Sequence, residues 1–132
     1  MINRISKNYK DIDLSFDPHP FNKDLSVKKD KAAINNAIVN LISTRPYDRP
    51  FHPEIGCQIH SLLFENFTPV TKATAEQTII DVLVKFEPRI ELISVNCFQS
   101  TADENEMIIS IIYNYDNSPE PITLTTSLSR VR

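Results

Sequence analysis

Polar and apolar residues alternate over Asp11-Ile12-Asp13-Leu14-Ser15-Phe16, the period of a short strand, and Asp17-Pro18-His19-Pro20 then breaks any regular element. Residues 1–25 therefore read as an extended arm carrying one short strand. From about Ser26 the period lengthens. Ile34, Ile38, Leu41 and Ile42 fall at i, i+4, i+7 and i+8 on one helical face, while Lys28, Lys29, Asp30, Lys31, Asn35 and Asn36 lie mostly elsewhere. That helix is expected to stop near Thr44, because Arg45 precedes Pro46 and a proline ring disfavours helical geometry in the residue before it.

The segment 45–56 holds Pro46, Pro50, Pro53 and Gly56, so an ordered, proline-stiffened loop is expected there. Ile59, Leu62, Leu63 and Phe67 predict a short second helix over about 57–66. Thr68 offers a capping hydroxyl and Pro69 suits the first helical position, which opens a third helix with Ile79, Ile80, Leu83 and Phe86 on its buried side and Pro88 as its stop. The remainder is rich in β-branched residues. Residues 93–97 alternate, 107–113 are nearly continuously apolar, and 122–128 alternate again, with short polar connections at 102–106 and 116–119. The sum is an α+β fold: a short N-terminal strand, three helices and a C-terminal three-stranded antiparallel meander, with 26–132 as a single core domain. The strand apolar on both sides belongs in the middle of the sheet, and the helices on one side of it.

Composition narrows the function. The 132 residues suit one domain, and 14 basic against 17 acidic side chains leave a net charge of −3, which argues against a polybasic nucleic-acid binder. No apolar run reaches the roughly 18 residues that would span a bilayer, and the first eight residues lack the apolar centre of a signal peptide, so folding in a cytosol without membrane contact is expected. Cys57 and Cys97, the two cysteines, suit burial in reduced form. One glycine against nine prolines excludes glycine-rich phosphate loops.

Candidate chemistry is sparse. His52 and His60 flank Glu54 and Cys57 but show no metal-ligand spacing, and a Cys57 nucleophile served by His60 has neither a third orienting group nor an oxyanion hole. Glu54, Glu65 and Glu87 are the carboxylates from which a glycosidase pair, about 5 to 9.5 Å apart, would have to come. A sugar cleft normally adds aromatic platforms, yet there is no tryptophan and aromatics make up only 8% of the chain. No catalytic residue, metal or cofactor is therefore assigned.

Two features point instead to partners. Glu87-Pro88-Arg89 sits where the third helix gives way to the first strand of the meander, and the proline is expected to hold the two charges apart in direction. The last strand places Ile122, Leu124, Thr126 and Leu128 on a largely apolar face and Thr123, Thr125, Ser127 and Ser129 on a hydroxyl face. As a sheet edge, it would let a partner's extended segment add a strand through main-chain bonds, with Pro119, Pro121 and the terminal arginines as possible guards.

Four blocks carry a resemblance: residues 9–16, the loop from Arg49 to Cys57, residues 63–69 (Leu-Phe-Glu-Asn-Phe-Thr-Pro), and Glu87-Pro88-Arg89-Ile90. In order and spacing they resemble the tail-sheath initiators, or small baseplate wedge proteins, of contractile phage tails, a lysozyme-like wedge family related to a baseplate component of type VI secretion systems. The resemblance implies an α+β fold and a structural role in a virion baseplate assembled in the host cytoplasm. It also implies that Glu87, Pro88 and Arg89 dock on other wedge subunits, and that the sheet joins the tail sheath protein by strand exchange, with the tail tube as a further contact. A wall-degrading activity attributed to such proteins is the alternative it carries. His52 departs from the pattern, standing where relatives are expected to have a neutral or acidic polar residue.

Overall fold

Strand β4 (Glu106–Tyr115) forms the middle of a three-stranded antiparallel sheet, flanked by β3 (Ile90–Gln99) and β5 (Ile122–Ser129). These are elements of a computed structural model that describes residues 8–116 and 119–130. The expected connection at 116–119 thus falls partly outside the described residues, at Asn117 and Ser118, as do Val131 and Arg132 of the terminal tail. On β4 the side chains of Met107, Ile109, Ile111 and Tyr113 are buried, whereas Ile108, Ser110 and Ile112 on the other face are only half-buried. The helices therefore cover one face of the sheet and leave the other towards solvent, as antiparallel sheets permit.

Two helices supply most of that cover. Helix α1 (Asp30–Ser43) buries Ala33, Ile34, Ile38, Leu41 and Ile42, and α3 (Pro69–Phe86) buries Thr71, Ala75, Ile79 and Leu83. With Val95, Cys97, Ile109, Ile111 and Tyr113 they form one apolar core. Tyr113 is fully buried and acts as an anchor: its hydroxyl donates to Oδ1 of Asn35 on α1 at 2.6 Å, which ties the sheet to the helix layer. Cys57 and Cys97 are both buried and reduced. Local chemistry sets the ends of α3. The Thr68 hydroxyl accepts from the Thr71 amide at 3.2 Å, Pro69 occupies the first turn, and Pro88 follows the last.

The N-terminal region differs from the expectation. The first strand, β1, spans Lys10–Ile12 only, and residues 27–29, assigned to the start of the first helix, form strand β2 (Val27–Lys29) paired antiparallel with it. Asp13 ends β1: its side chain accepts from the Ser15 amide and its carbonyl from the Phe16 amide, a tight turn that a longer strand would forbid. At the other end the Asp30 amide donates to the Tyr9 carbonyl at 2.8 Å and the Asp30 carboxylate accepts from the Tyr9 amide at 3.2 Å. With a φ of 47°, Asp30 turns the chain out of the strand pair and into α1.

The second helix, α2 (Ile59–Leu62), is shorter than the expected 57–66. Phe64 and Glu65 instead donate to the carbonyls three residues back, a tightened turn that leads into the cap of α3. The loop before it is held from within. Tyr47 donates to Pro53, Arg45 to the Asp48 carboxylate, and Cys57 to Thr44, in line with the order expected of its prolines. Gly56 lets this loop close, because a β-carbon there would lie 2.6 Å from both the Arg45 carbonyl carbon and the Pro46 nitrogen.

Candidate functional site

Glu87 is the residue after the last turn of α3, and its amide still donates to Leu83 at 2.9 Å. Pro88 then turns the chain into β3. The two charges do not diverge as expected from the proline; they converge. Arg89 grips Glu87 with two parallel bonds, Nε to Oε1 at 2.6 Å and one terminal nitrogen to Oε2 at 2.8 Å. An i, i+2 pair bracketing a proline in extended geometry projects both side chains to one side of the turn, so the rigidity works for the pair. The Glu87 side chain is only 6% exposed, and a carboxylate so buried requires this bidentate partner.

Arg89 also reaches the arm. Its second terminal nitrogen bonds Oδ2 of Asp11 on β1 at 3.2 Å, and its guanidinium lies 5.6 Å from the centre of the Tyr9 ring. The hydrogen bonds and charge of Glu87, with Asp11 adding to them, push the guanidinium pKa further above its ordinary value, so it stays cationic. Glu87, Arg89, Asp11 and Tyr9 thus clamp the arm onto the junction of α3 and β3. A cleft of about 550 Å³ opens beside the clamp, lined by Asp11, Ile12, Asn36, Asn40, Arg49 and Phe86 among others.

The sheet has two outer edges, and the register decides what each presents. Ser100 donates to Glu106 and Arg130 donates to Asn105, which places 100 with 106 and 130 with 105 as bonded pairs. Alternation along an antiparallel ladder then turns the backbone groups of Ile122, Leu124, Thr126 and Leu128 inward to β4. Those of Thr123, Thr125, Ser127 and Ser129 point away from the sheet, and among the described residues nothing pairs with them. The side chains of Ile122, Leu124, Thr126 and Leu128 lie on the core side of this edge, Ile122 buried and the other three half-buried. On β3 the same parity turns the Cys97 amide outward, but there it donates to Oε1 of Glu76 on α3 at 2.9 Å.

The other chemistry-bearing residues stay apart. His52 contacts Glu54 at 3.3 Å on the exposed loop, and an internal backbone bond together with His52 lowers the Glu54 pKa below the usual carboxylate range. His60 donates from Nε2 to the Ser43 carbonyl at 3.1 Å, and burial raises the pKa of the Cys57 thiol, the reverse of what a nucleophile needs. Glu65 lines a separate recess with Glu104, Glu106 and Arg130. Among the described residues, no three His, Cys, Asp or Glu side chains are grouped to hold a metal, and no helix is long and apolar enough to cross a membrane. The sequence pattern by itself gives Tyr9, Asp11 and Glu76 no role. Tyr9 and Asp11 do stand in its first matching block, and Lys72 to Glu76 shows ion-pair spacing.

Comparison with known proteins places this architecture. The profile of the family described as baseplate wedge protein gp25 matches residues 28–120. The chain is 36% identical over 118 residues to the baseplate wedge protein gp25 of Enterobacteria phage T4, covering 89% of this chain and 88% of that protein. A Geobacter sulfurreducens structure, provisionally described as a tail lysozyme, superposes with a TM-score of 0.69 at 26% identity over 77% of this chain and 92% of its own. Two assemblies share the fold. A chain of the type VI secretion baseplate complex matches with a TM-score of 0.65 at 16% identity, covering 76% of this chain and 93% of that one. A chain of the anti-feeding prophage baseplate matches with a TM-score of 0.65 at 17% identity, covering 95% and 88%.

Proposed function

The chain belongs to the baseplate wedge protein gp25 family, and from that premise we propose that it is a structural subunit of a contractile-tail baseplate, in the virion, that nucleates the tail sheath by accepting a strand at β5. The observation that carries this reading is the open β5 edge, where four consecutive outward-facing residues, Thr123, Thr125, Ser127 and Ser129, offer main-chain donors and acceptors. An incoming segment of alternating pattern would set its apolar side chains beside Leu124, Thr126 and Leu128 and its polar ones beside the hydroxyls. The first sheath ring is the source of that strand. In the same reading, Glu87, Pro88 and Arg89 dock on neighbouring wedge subunits, indirectly through Glu87, which the clamp buries, and directly through the arm that Arg89 holds. The tail tube is the remaining neighbour, and assembly takes place in the host cytoplasm.

The test is reconstitution on purified baseplates. Thr125→Pro removes an outward amide without touching the ladder to β4, so the protein should enter baseplates normally while sheath no longer polymerises on them. Glu87→Ala with Arg89→Ala should instead reduce entry into the baseplate. Normal sheath growth on Thr125→Pro baseplates would exclude strand acceptance at β5, and normal entry of the double variant would exclude docking through the clamp.

The description of the Geobacter relative favours one rival, a wall-degrading enzyme. The candidate carboxylates suit it poorly. A general acid needs a raised pKa, whereas Glu54 is shifted down and Glu87 is held by Arg89 on both oxygens. The purified protein should not clear peptidoglycan, and clearing abolished by Glu54→Gln or Glu87→Gln would establish the rival.

A further inference from the structure

The opposite edge of the sheet carries a device that the strand-accepting reading does not use. The Cys97 amide faces outward on β3, where an unguarded edge would offer it to any passing strand. Glu76 reaches from α3 and takes that amide at 2.9 Å. Lys72, one turn earlier on the same helix, lies 3.8 Å from the same carboxylate oxygen and 5.0 Å from the centre of the Phe98 ring. Phe98 is exposed and Cys97 beside it is buried, so the two contacts of the lysine head and its carboxylate partner fall on neighbouring residues of the β3 edge. Further along, the ladder is interrupted between Leu92 and Ser94, which twists the remaining edge out of register.

We propose that Lys72 and Glu76 form a strap that closes the β3 edge against a second copy of this chain, so that the sheet can be extended only from β5. The copy is the relevant intruder because it always brings a matching open edge, its own β5, and pairing β3 of one molecule with β5 of the next is head-to-tail and need not close. Without the strap, molecules awaiting assembly would consume one another's strand-accepting edges. The inference concerns β3 and holds whatever partner β5 receives.

The experiment compares three variants by concentration-dependent light scattering after size exclusion. Lys72→Ala with Glu76→Ala should self-associate, its weight-average mass rising about twofold or more across the accessible concentrations, because the edge is exposed. Glu76→Gln keeps a carbonyl oxygen for the Cys97 amide and should stay at the mass of the unsubstituted protein. Adding Thr125→Pro to the double variant should restore that mass by blocking β5. A double variant that melts normally and stays at the original mass, or one whose association survives Thr125→Pro, would overturn the proposal. Hydrogen exchange on the unsubstituted protein gives a check free of folding defects. The Cys97 amide should exchange far more slowly than those of Thr125 and Ser127, and equal rates would refute the strap.

Discussion

Arg89 donates to Asp11 across 78 residues of sequence at 3.2 Å, and this bond joins the strand that opens the described chain to the junction where helix gives way to sheet. The same guanidinium neutralises Glu87, so one side chain both satisfies a buried carboxylate and retains the arm.

Removing the guanidinium should separate these two effects. Arg89→Ala strands a carboxylate that is only 6% exposed, and loss of one partner of such a pair costs about 3 kcal/mol. Asp11→Asn leaves the Glu87 pair intact and should cost well under 1 kcal/mol, as expected for a half-exposed contact. Both should speed amide exchange over Tyr9 to Ile12, but only the first should shift the denaturant midpoint substantially. Equal shifts would mean that the pair does not act as the anchor.

Gly56→Ala should be among the more damaging single changes, because the new methyl meets backbone atoms of Arg45 and Pro46 that no rotamer can move. A loss of about 3 kcal/mol, at the upper end of ordinary substitutions, is expected in chemical denaturation. Its neighbour Glu54, exposed on the loop, should tolerate alanine with little change.

Alkaline pH should destabilise the fold through its buried acids, Cys97 and Tyr113 foremost. Burial, then the charge of Glu76, pushes the Cys97 thiol up to about 12 from an ordinary 9.0, and burial, then Tyr115 and Glu87, pushes the Tyr113 phenol up to about 12 from 10.0. Between the unfolded and folded values the native state holds more protons than the unfolded chain, so stability falls as pH rises. The denaturant midpoint should be level up to about pH 8.5 and drop progressively from there towards pH 12. Tyr113→Phe should remove part of the drop above pH 10 while losing the bond to Asn35.

The elements that were readable in advance are those whose cause is local. Thr68 with Pro69 and Pro88 bracket α3, and the apolar spacing of Ile34, Ile38, Leu41 and Ile42 matches the buried face of α1. Val27-Lys28-Lys29 has no strand signal of its own, and strand β2 is defined by its pairing with β1. The second helix is shorter than its apolar spacing suggests for a related reason. Leu63 and Phe67 are half-buried against the core, so they mimic helical spacing while the chain between them tightens into turns.

For the candidate site, residue identity was legible and direction was not. Glu87-Pro88-Arg89 stands out as a tripeptide, but the side on which its charges meet depends on the turn into β3, and its third partner, Asp11, comes from another part of the chain. The alternation of Ile122 to Ser129 likewise separates the faces of β5 without saying which backbone groups are free. What the sequence alone determined is the set of periodicities and stops, since these follow from each residue's own stereochemistry and its near neighbours. Which edge stays open, which is strapped shut and how the clamp closes were decided by the tertiary structure, because strand register and ion-pair geometry depend on distant segments being brought together.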